Sequence, residues 1–269
     1  MAPTSNTRPI HFVSLIVPAY RQEKTIVNNI LHIKAVLDNI RYDYEIIVVV
    51  DGIIDDTLEV LKRNRIPKVK CLAYKENRGK SYAIRVGMQE SVGDYVMFMD
   101  SGLEIDPNGI SMLLEHMEWY EADIIVGSKR HPASHVNYSF VRRILSFSYY
   151  WLVKFLFMIS VRDTQAGIKI FKKKVLEKIL PRLVEKKFAG DLEILVAARQ
   201  LGYKRIYEAP IKLDYTFSSI TDAATVNAIR GILQDTFAIF YRAYILRYYK
   251  RKYVRSTHLH YDTKIAAIR

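Results

Sequence analysis

The sequence predicts an α/β fold, a single domain on a mostly parallel central sheet with helices on both faces, and two observations carry that prediction. Five short apolar runs, FVSLIV (12–17), YEIIVVV (44–50), VKCLAY (69–74), DYVMFMD (94–100) and ADIIVGS (122–128), have the composition of strands buried on both sides. Helical patterns separate them, over Thr25–Leu37, Asp55–Arg63, Ser81–Glu90 and Asn108–Tyr120. Pro107 stands near the first turn of the last of these, where a missing N–H costs nothing.

No repeat, low-complexity tract or Pro/Gly/Ser-rich linker divides the chain of 269 residues, which is long enough for one substantial core. The expected organisation is a flexible N-terminus (1–9), one folded domain (10–222), a C-terminal amphipathic helix (223–255) and a flexible tail (256–269).

After Ser128 the alternation stops. The run ILSFSYYWLVKFLFMISV (144–161), within a possible membrane-interface segment 141–161, has three readings: an interfacial helix, a core helix or a membrane span. A span would place Lys154 near the bilayer centre at a cost of about 2.5–3.5 kcal/mol. Flanking Arg142, Arg143 and Arg162 suit a helix lying in the headgroup plane. Further on, Val226, Ile229, Leu233, Phe237, Phe240, Tyr244 and Tyr248 recur at helical spacing, with Arg230, Gln234 and Arg242 off that stripe.

Forty-one basic against 28 acidic residues give a formal charge of +13, which favours anionic partners. No nucleic-acid motif accompanies it, so phosphorylated substrates or acidic lipid are expected instead. The single cysteine, Cys71, excludes an intrachain disulfide framework and a cysteine-built zinc site. Residues 1–9 lack both the basic leader and the apolar core of a secretory signal. A cytoplasmic location, peripheral on the inner face of the membrane, is expected.

Ligands of open parallel sheets bind beyond the carboxyl ends of the strands. Asp51 follows one apolar run, and Asp100 closes another with Glu104 and Asp106 behind it. Each alone could cap the next helix; several at one edge suggest a site. Between them ENRGKSYAIRVG places a glycine beside Arg78 and Lys80 at a predicted helix start, an arrangement suited to a diphosphate.

VPAYRQEKTI, YEIIVVVDGIIDDT, NRGKSYAIRVG, GDYVMFMDSGLEIDP, GSKRH, RDTQAGIKIF and FAGDLEIL follow one another in this order. Together they resemble glycosyltransferase family 2 of the GT-A fold, most closely the polyprenyl-phosphate sugar synthases of the dolichyl-phosphate glucose and mannose type. The resemblance runs from about Ser14 to Tyr215. It implies an inverting transferase that moves a sugar from a UDP or GDP donor to a membrane polyprenyl phosphate. It places Pro18, Ala19, Tyr20, Glu23, Asp51, Arg78, Lys80 and Asp100 around the nucleotide, and Lys129, Arg130, Arg142 and Arg143 at the acceptor phosphate. Asp100 and Glu104 would hold Mg2+ or Mn2+, and Asp191 and Glu193 fall where inverting relatives keep their base.

This chain departs from the family pattern at several places. Arg21 and Gln22 replace an Asn-Glu pair, Val50 replaces the first aspartate of the second motif, Ile53 and Ile54 replace its serines, and Gly102 replaces the second aspartate of the metal motif. These departures keep a degenerate nucleotide-binding or membrane scaffold protein as one alternative, and a base at Asp191, needed for a hydroxyl acceptor, keeps a transferase acting on a sugar hydroxyl of a glycolipid or polysaccharide as the other.

Overall fold

The computed structural model describes residues 11–134, 140–187, 189–213 and 226–251, without the side chains of 140–144 and 226–228. The terminal segments 1–9 and 256–269 expected from the sequence lie outside the described residues.

All five apolar runs form strands: β1 (Val13–Ala19), β2 (Tyr44–Asp51), β3 (Val69–Tyr74), β4 (Tyr95–Met99) and β5 (Ile124–Ser128). The four expected helices follow in place as α1 (Ile26–Leu37), α2 (Thr57–Asn64), α3 (Lys80–Glu90) and α4 (Gly109–Trp119). Then come α5 (Phe140–Phe157), β6 (Ile168–Lys172), α6 (Lys173–Ile179), α7 (Gly190–Gln200), β7 (Ile206–Pro210) and α8 (Val226–Phe240). The sheet runs β3-β2-β1-β4-β6-β5-β7. Every pair is parallel except those of β6, which runs antiparallel to both β4 and β5.

Two apolar clusters fill the two faces of the sheet, one under α1, α2 and α4, the other under α3, α6, α7 and the C-terminal helix. That double burial is why β1 and β2 read as unbroken apolar runs. Close packing of α3 depends on Gly87, where a β-carbon would come within 2.5 Å of the Ile16 side chain. The chain leaves β1 for β2 and β3 on one side and returns to place β4 on the other. A crevice therefore opens beyond the carboxyl ends of β1 and β4, where the strand order reverses.

The C-terminal stripe differs from its sequence reading. Thr236, Ile239 and Ala243 face the core, whereas Phe237 and Tyr244 are exposed. The expected single helix also stops at Phe240, continues as a π turn over Tyr241–Ile245 and closes with a 3-10 turn at Tyr248–Lys250 that buries Tyr249. Of the expected stripe, Phe240 and Tyr248 still pack against the core, while Phe237 turns outward. Arg242, expected on the polar face, points inward to Glu185 and Glu193.

Candidate active site

Asp51, at the carboxyl end of β2, is buried, and its carboxylate fastens the loop that precedes α3. It accepts the Tyr74 hydroxyl at 2.7 Å, the Arg78 N–H at 2.7 Å and the Gly79 N–H at 3.0 Å. Gly52 follows at φ +92, with room for nothing larger: a β-carbon there would lie 2.8 Å from the Asn77 nitrogen. The Arg78 guanidinium donates to the Tyr82 hydroxyl at 3.1 Å and lies over that ring.

The turn fixed in this way delivers Lys80, the first residue of α3, to the end of β4. Its ammonium lies 2.7 Å from one oxygen of Asp100 and 3.0 Å from the other, and 3.6 Å from Asp191 at the start of α7. Asp191 in turn pairs with Lys169 of β6 at 2.7 Å. Four charges, alternating in sign, thus link β4, α3, α7 and β6. Lys169 has 0% of its side chain exposed, donates also to the Ala166 carbonyl at 2.8 Å and lies beside the Phe98 ring. Burial works against ionisation of Asp191, but Lys169 and Lys80 outweigh it and hold the carboxyl below its ordinary range. Burial also pulls against the Lys80 charge, and Asp100 and Asp191 together outweigh it, raising the ammonium above its usual value.

Asp100 rests directly on Gly167, where a β-carbon would stand 2.1 Å from its Oδ2, and its N–H donates to the Gly167 carbonyl at 2.9 Å. Its carboxylate is 41% exposed toward the crevice. Glu104, part-exposed beyond the left-handed Leu103, forms no hydrogen bond or ion pair with the described residues. Asp106 does not add to that charge: it accepts the N–H of Asn108 and faces Lys212. Among the described residues no three His, Cys, Asp or Glu side chains cluster as a metal site. One or two carboxylates fit a hard divalent ion only when substrate phosphates complete its ligands. Around Gly102 there is space, since a β-carbon there would meet nothing within 4 Å.

The other expected site residues are distributed unevenly. Pro18 and Ala19 are buried at the end of β1, with Tyr20 exposed just beyond them and Arg21 over its ring. Glu23 accepts the Asp56 N–H at 3.2 Å, next to the start of α2. Lys129 is held through its N–H by Asp163 at 3.0 Å, while the Arg130 guanidinium lies on α5 against Ser146 and Tyr150. Arg142 and Arg143 lie in the first turn of α5, and their side chains are outside the described residues.

Asp191 and Glu193 are not brought together. Two residues apart on α7, they face different neighbours. Glu193 accepts the N–H groups of Val184 and Glu185 at 2.9 and 2.8 Å and the Tyr249 hydroxyl at 2.7 Å, and burial raises its pKa. Its bonds tie α7 to the C-terminal turn and leave only Asp191 facing Lys80. Lys169 and Tyr74 escaped the sequence reading. A lysine enclosed by apolar residues in IKIF was the available signal, because a charge buried in a strand needs a partner.

The crevice at the strand-order reversal is walled by a glycine turn with Arg78 and Lys80 and by the part-exposed Asp100 carboxylate, an arrangement suited to an anionic ligand. The chain belongs to glycosyl transferase family 2, whose model matches residues 14–180. It is 32% identical over 215 residues to a dolichyl-phosphate beta-glucosyltransferase of Drosophila melanogaster, covering 74% of this chain and 66% of that protein. With the dolichyl-phosphate beta-glucosyltransferase of Dictyostelium discoideum it shares 30% identity over 251 residues, 84% of this chain and 76% of that one. The fold is also that of glucosyl-3-phosphoglycerate synthase from Mycobacterium tuberculosis, solved with Mn2+, UDP and phosphoglyceric acid. There the TM-score is 0.61 at 18% identity, over 86% of this chain and 78% of that one.

Proposed function

We propose that this glycosyltransferase moves a sugar, with inversion, from a UDP or GDP donor to a polyprenyl phosphate at a membrane surface. The observation that carries the choice of acceptor is the Lys169–Asp191–Lys80 arrangement. A carboxylate held between two lysines and below its ordinary pKa is a poor proton acceptor. A hydroxyl nucleophile would need such an acceptor. A phosphate monoester, with a second pKa of about 6, arrives already ionised. Its oxygen bonds to the anomeric carbon as the bond to the donor diphosphate breaks, and the diphosphate leaves with the electron pair. Lys80 faces that developing charge. The dolichyl-phosphate names of the two relatives support the same acceptor class, and Lys129, Arg130, Arg142 and Arg143 are proposed to receive its phosphate.

No helix among the described residues is long and apolar enough to cross a membrane. Yet α5 buries Val153 and Phe157 while it exposes Phe147, Trp151 and Phe155, and the neighbouring C-terminal turn exposes Tyr241, Tyr244 and Ile245. Aromatic and aliphatic side chains displayed together on adjoining elements, on a basic protein, suit an interfacial position at an anionic bilayer.

Purified chain supplied with UDP-glucose or GDP-mannose is expected to release nucleotide with a short polyprenyl phosphate and not with the corresponding polyprenol. The rate should fall as pH drops through about 6, where the acceptor phosphate gains a proton. Transfer to the alcohol or to a sugar hydroxyl would favour the hydroxyl reading, and absence of both binding and release with every donor would leave a scaffold.

For Mg2+ or Mn2+, Asp100 and Glu104 are the residues proposed to hold the ion together with the donor diphosphate. A divalent ion so bound supplies neutralisation of the leaving diphosphate. Gly102→Asp, which the open space accommodates, is expected to preserve activity and lower the metal concentration giving half-maximal nucleotide binding. Glu104→Gln should raise it. Calorimetry in metal and in chelator checks this; equal nucleotide affinity in both would remove the ion from the site.

A further inference from the structure

The segment 183–187 lies between the donor turn and the C-terminal elements, and both sides grip it by hydrogen bonds. On the α3 side the Lys186 carbonyl accepts the Tyr82 N–H at 3.1 Å, the Lys187 carbonyl accepts the Ser81 hydroxyl, and Arg85 donates to the Leu183 carbonyl. The fit is close enough that a β-carbon on Gly79 would stand 2.5 Å from the Lys186 oxygen and 3.4 Å from Lys187 Cγ. On the other side Glu193 accepts the N–H groups of Val184 and Glu185, and Arg242 pairs with Glu185 and lies 3.5 Å from Glu193. The Lys186 and Lys187 side chains are exposed, on backbone that touches the turn carrying Arg78 and Lys80.

We propose that segment 183–187 is the outer wall of the donor-diphosphate site, with Lys186 and Lys187 as anion contacts and Arg242 as the positioning residue that holds the wall in place. The ligand class is a nucleoside diphosphate, so the inference rests on the donor reading above. Two exposed lysines on backbone that touches the turn carrying Lys80 add positive charge at that edge of the donor site. Arg242 acts from a distance: it lies between the carboxylates of Glu185 and Glu193, whose mutual repulsion would otherwise work against the hydrogen bonds that hold the segment. The same π turn carries Arg242 inward and Tyr241, Tyr244 and Ile245 outward, so the display of aromatics and the donor wall share one short element.

The test is calorimetry of the full chain with UDP, GDP and uridine, alongside thermal denaturation. The Lys186→Ala/Lys187→Ala double variant should keep its Tm and lose about tenfold or more in affinity for the nucleoside diphosphate, with uridine binding unchanged. Arg242→Ala should weaken the diphosphate comparably, and Arg242→Lys should restore part of the loss. If Arg242→Ala fails to fold, Glu185→Gln removes the same ion pair while keeping the size of the side chain and should weaken the diphosphate in the same direction. Wild-type affinity for UDP and GDP in both the lysine and the Arg242 or Glu185 variants, whatever their Tm, overturns the wall while the donor reading stands. A wild-type chain that binds neither diphosphate overturns both.

Discussion

Lys80→Met is expected to lower kcat by about 10²–10³-fold and to leave the chain folded. The ammonium it removes is the one that touches both Asp100 and Asp191. Without it the exposed Asp100 carboxylate is left uncompensated toward a diphosphate that gains negative charge as its bond to the sugar breaks, so stabilisation is lost where charge develops. Folding should survive, because Lys169 still pairs with Asp191 at 2.7 Å and Asp100 is partly solvated. Lys80→Arg keeps the charge with a longer, planar group and should retain more activity than Lys80→Met. Steady-state kinetics with donor varied at saturating acceptor separates the effects, and a kcat within threefold of wild type would take Lys80 out of the reaction.

Asp51→Ala should have the largest combined effect on stability and donor affinity. The carboxylate is buried and accepts three donors, so its removal strands the Arg78 N–H, the Gly79 N–H and the Tyr74 hydroxyl. Hydrogen bonds to a charged acceptor contribute about 1.5–3 kcal/mol each, and stranded buried donors add a cost, so a stability loss of about 3 kcal/mol or more is expected. Because the same bonds fix the turn bearing Arg78 and Lys80, nucleotide affinity should fall at least about tenfold. An ordinary helix cap, whose loss costs about 0.5–2 kcal/mol, would leave affinity unchanged. Denaturant unfolding and calorimetry on one preparation decide between them. Asp51→Asn should lie between, since the amide replaces one acceptor oxygen with a donor that faces donors.

Stability also carries a signature of the buried charges. The lowered pKa of Asp191 means that its contribution is complete above the ordinary carboxylate range and is lost only as pH falls through the lowered folded value. No stability is withdrawn through Asp191 near neutrality, where the enzyme is proposed to act.

The strands and helices of the first half were legible because each is a single local statement. FVSLIV and DYVMFMD are apolar runs of strand length that alternate with helical patterns, and three-and-four spacing marks α1 and α4 without reference to anything distant. β6 and β7 were not legible in the same way. Each is five residues long, and β6 is antiparallel between two strands that precede it in the chain, so only pairing identifies it. The C-terminal stripe was legible only in part, with Phe240 and Tyr248 packed against the core and Phe237 exposed, for a related reason: aromatic spacing shows that a helix has two faces, but not which face finds a partner. Thr236, Ile239 and Ala243 were chosen by the shape of α7 and its neighbours.

By itself the sequence determined the family, the strand-end positions of Asp51 and Asp100, and the basic turn with Arg78 and Lys80, since these are motifs contiguous in the chain. The tertiary structure alone decided how those charges are used. It joined Lys169 to Asp191 across 22 residues and Arg242 to Glu185 across 57, and it separated Asp191 from Glu193, which the family resemblance had grouped. Electrostatic energy depends on distance through space and on burial, and neither is recorded in the order of residues along a chain.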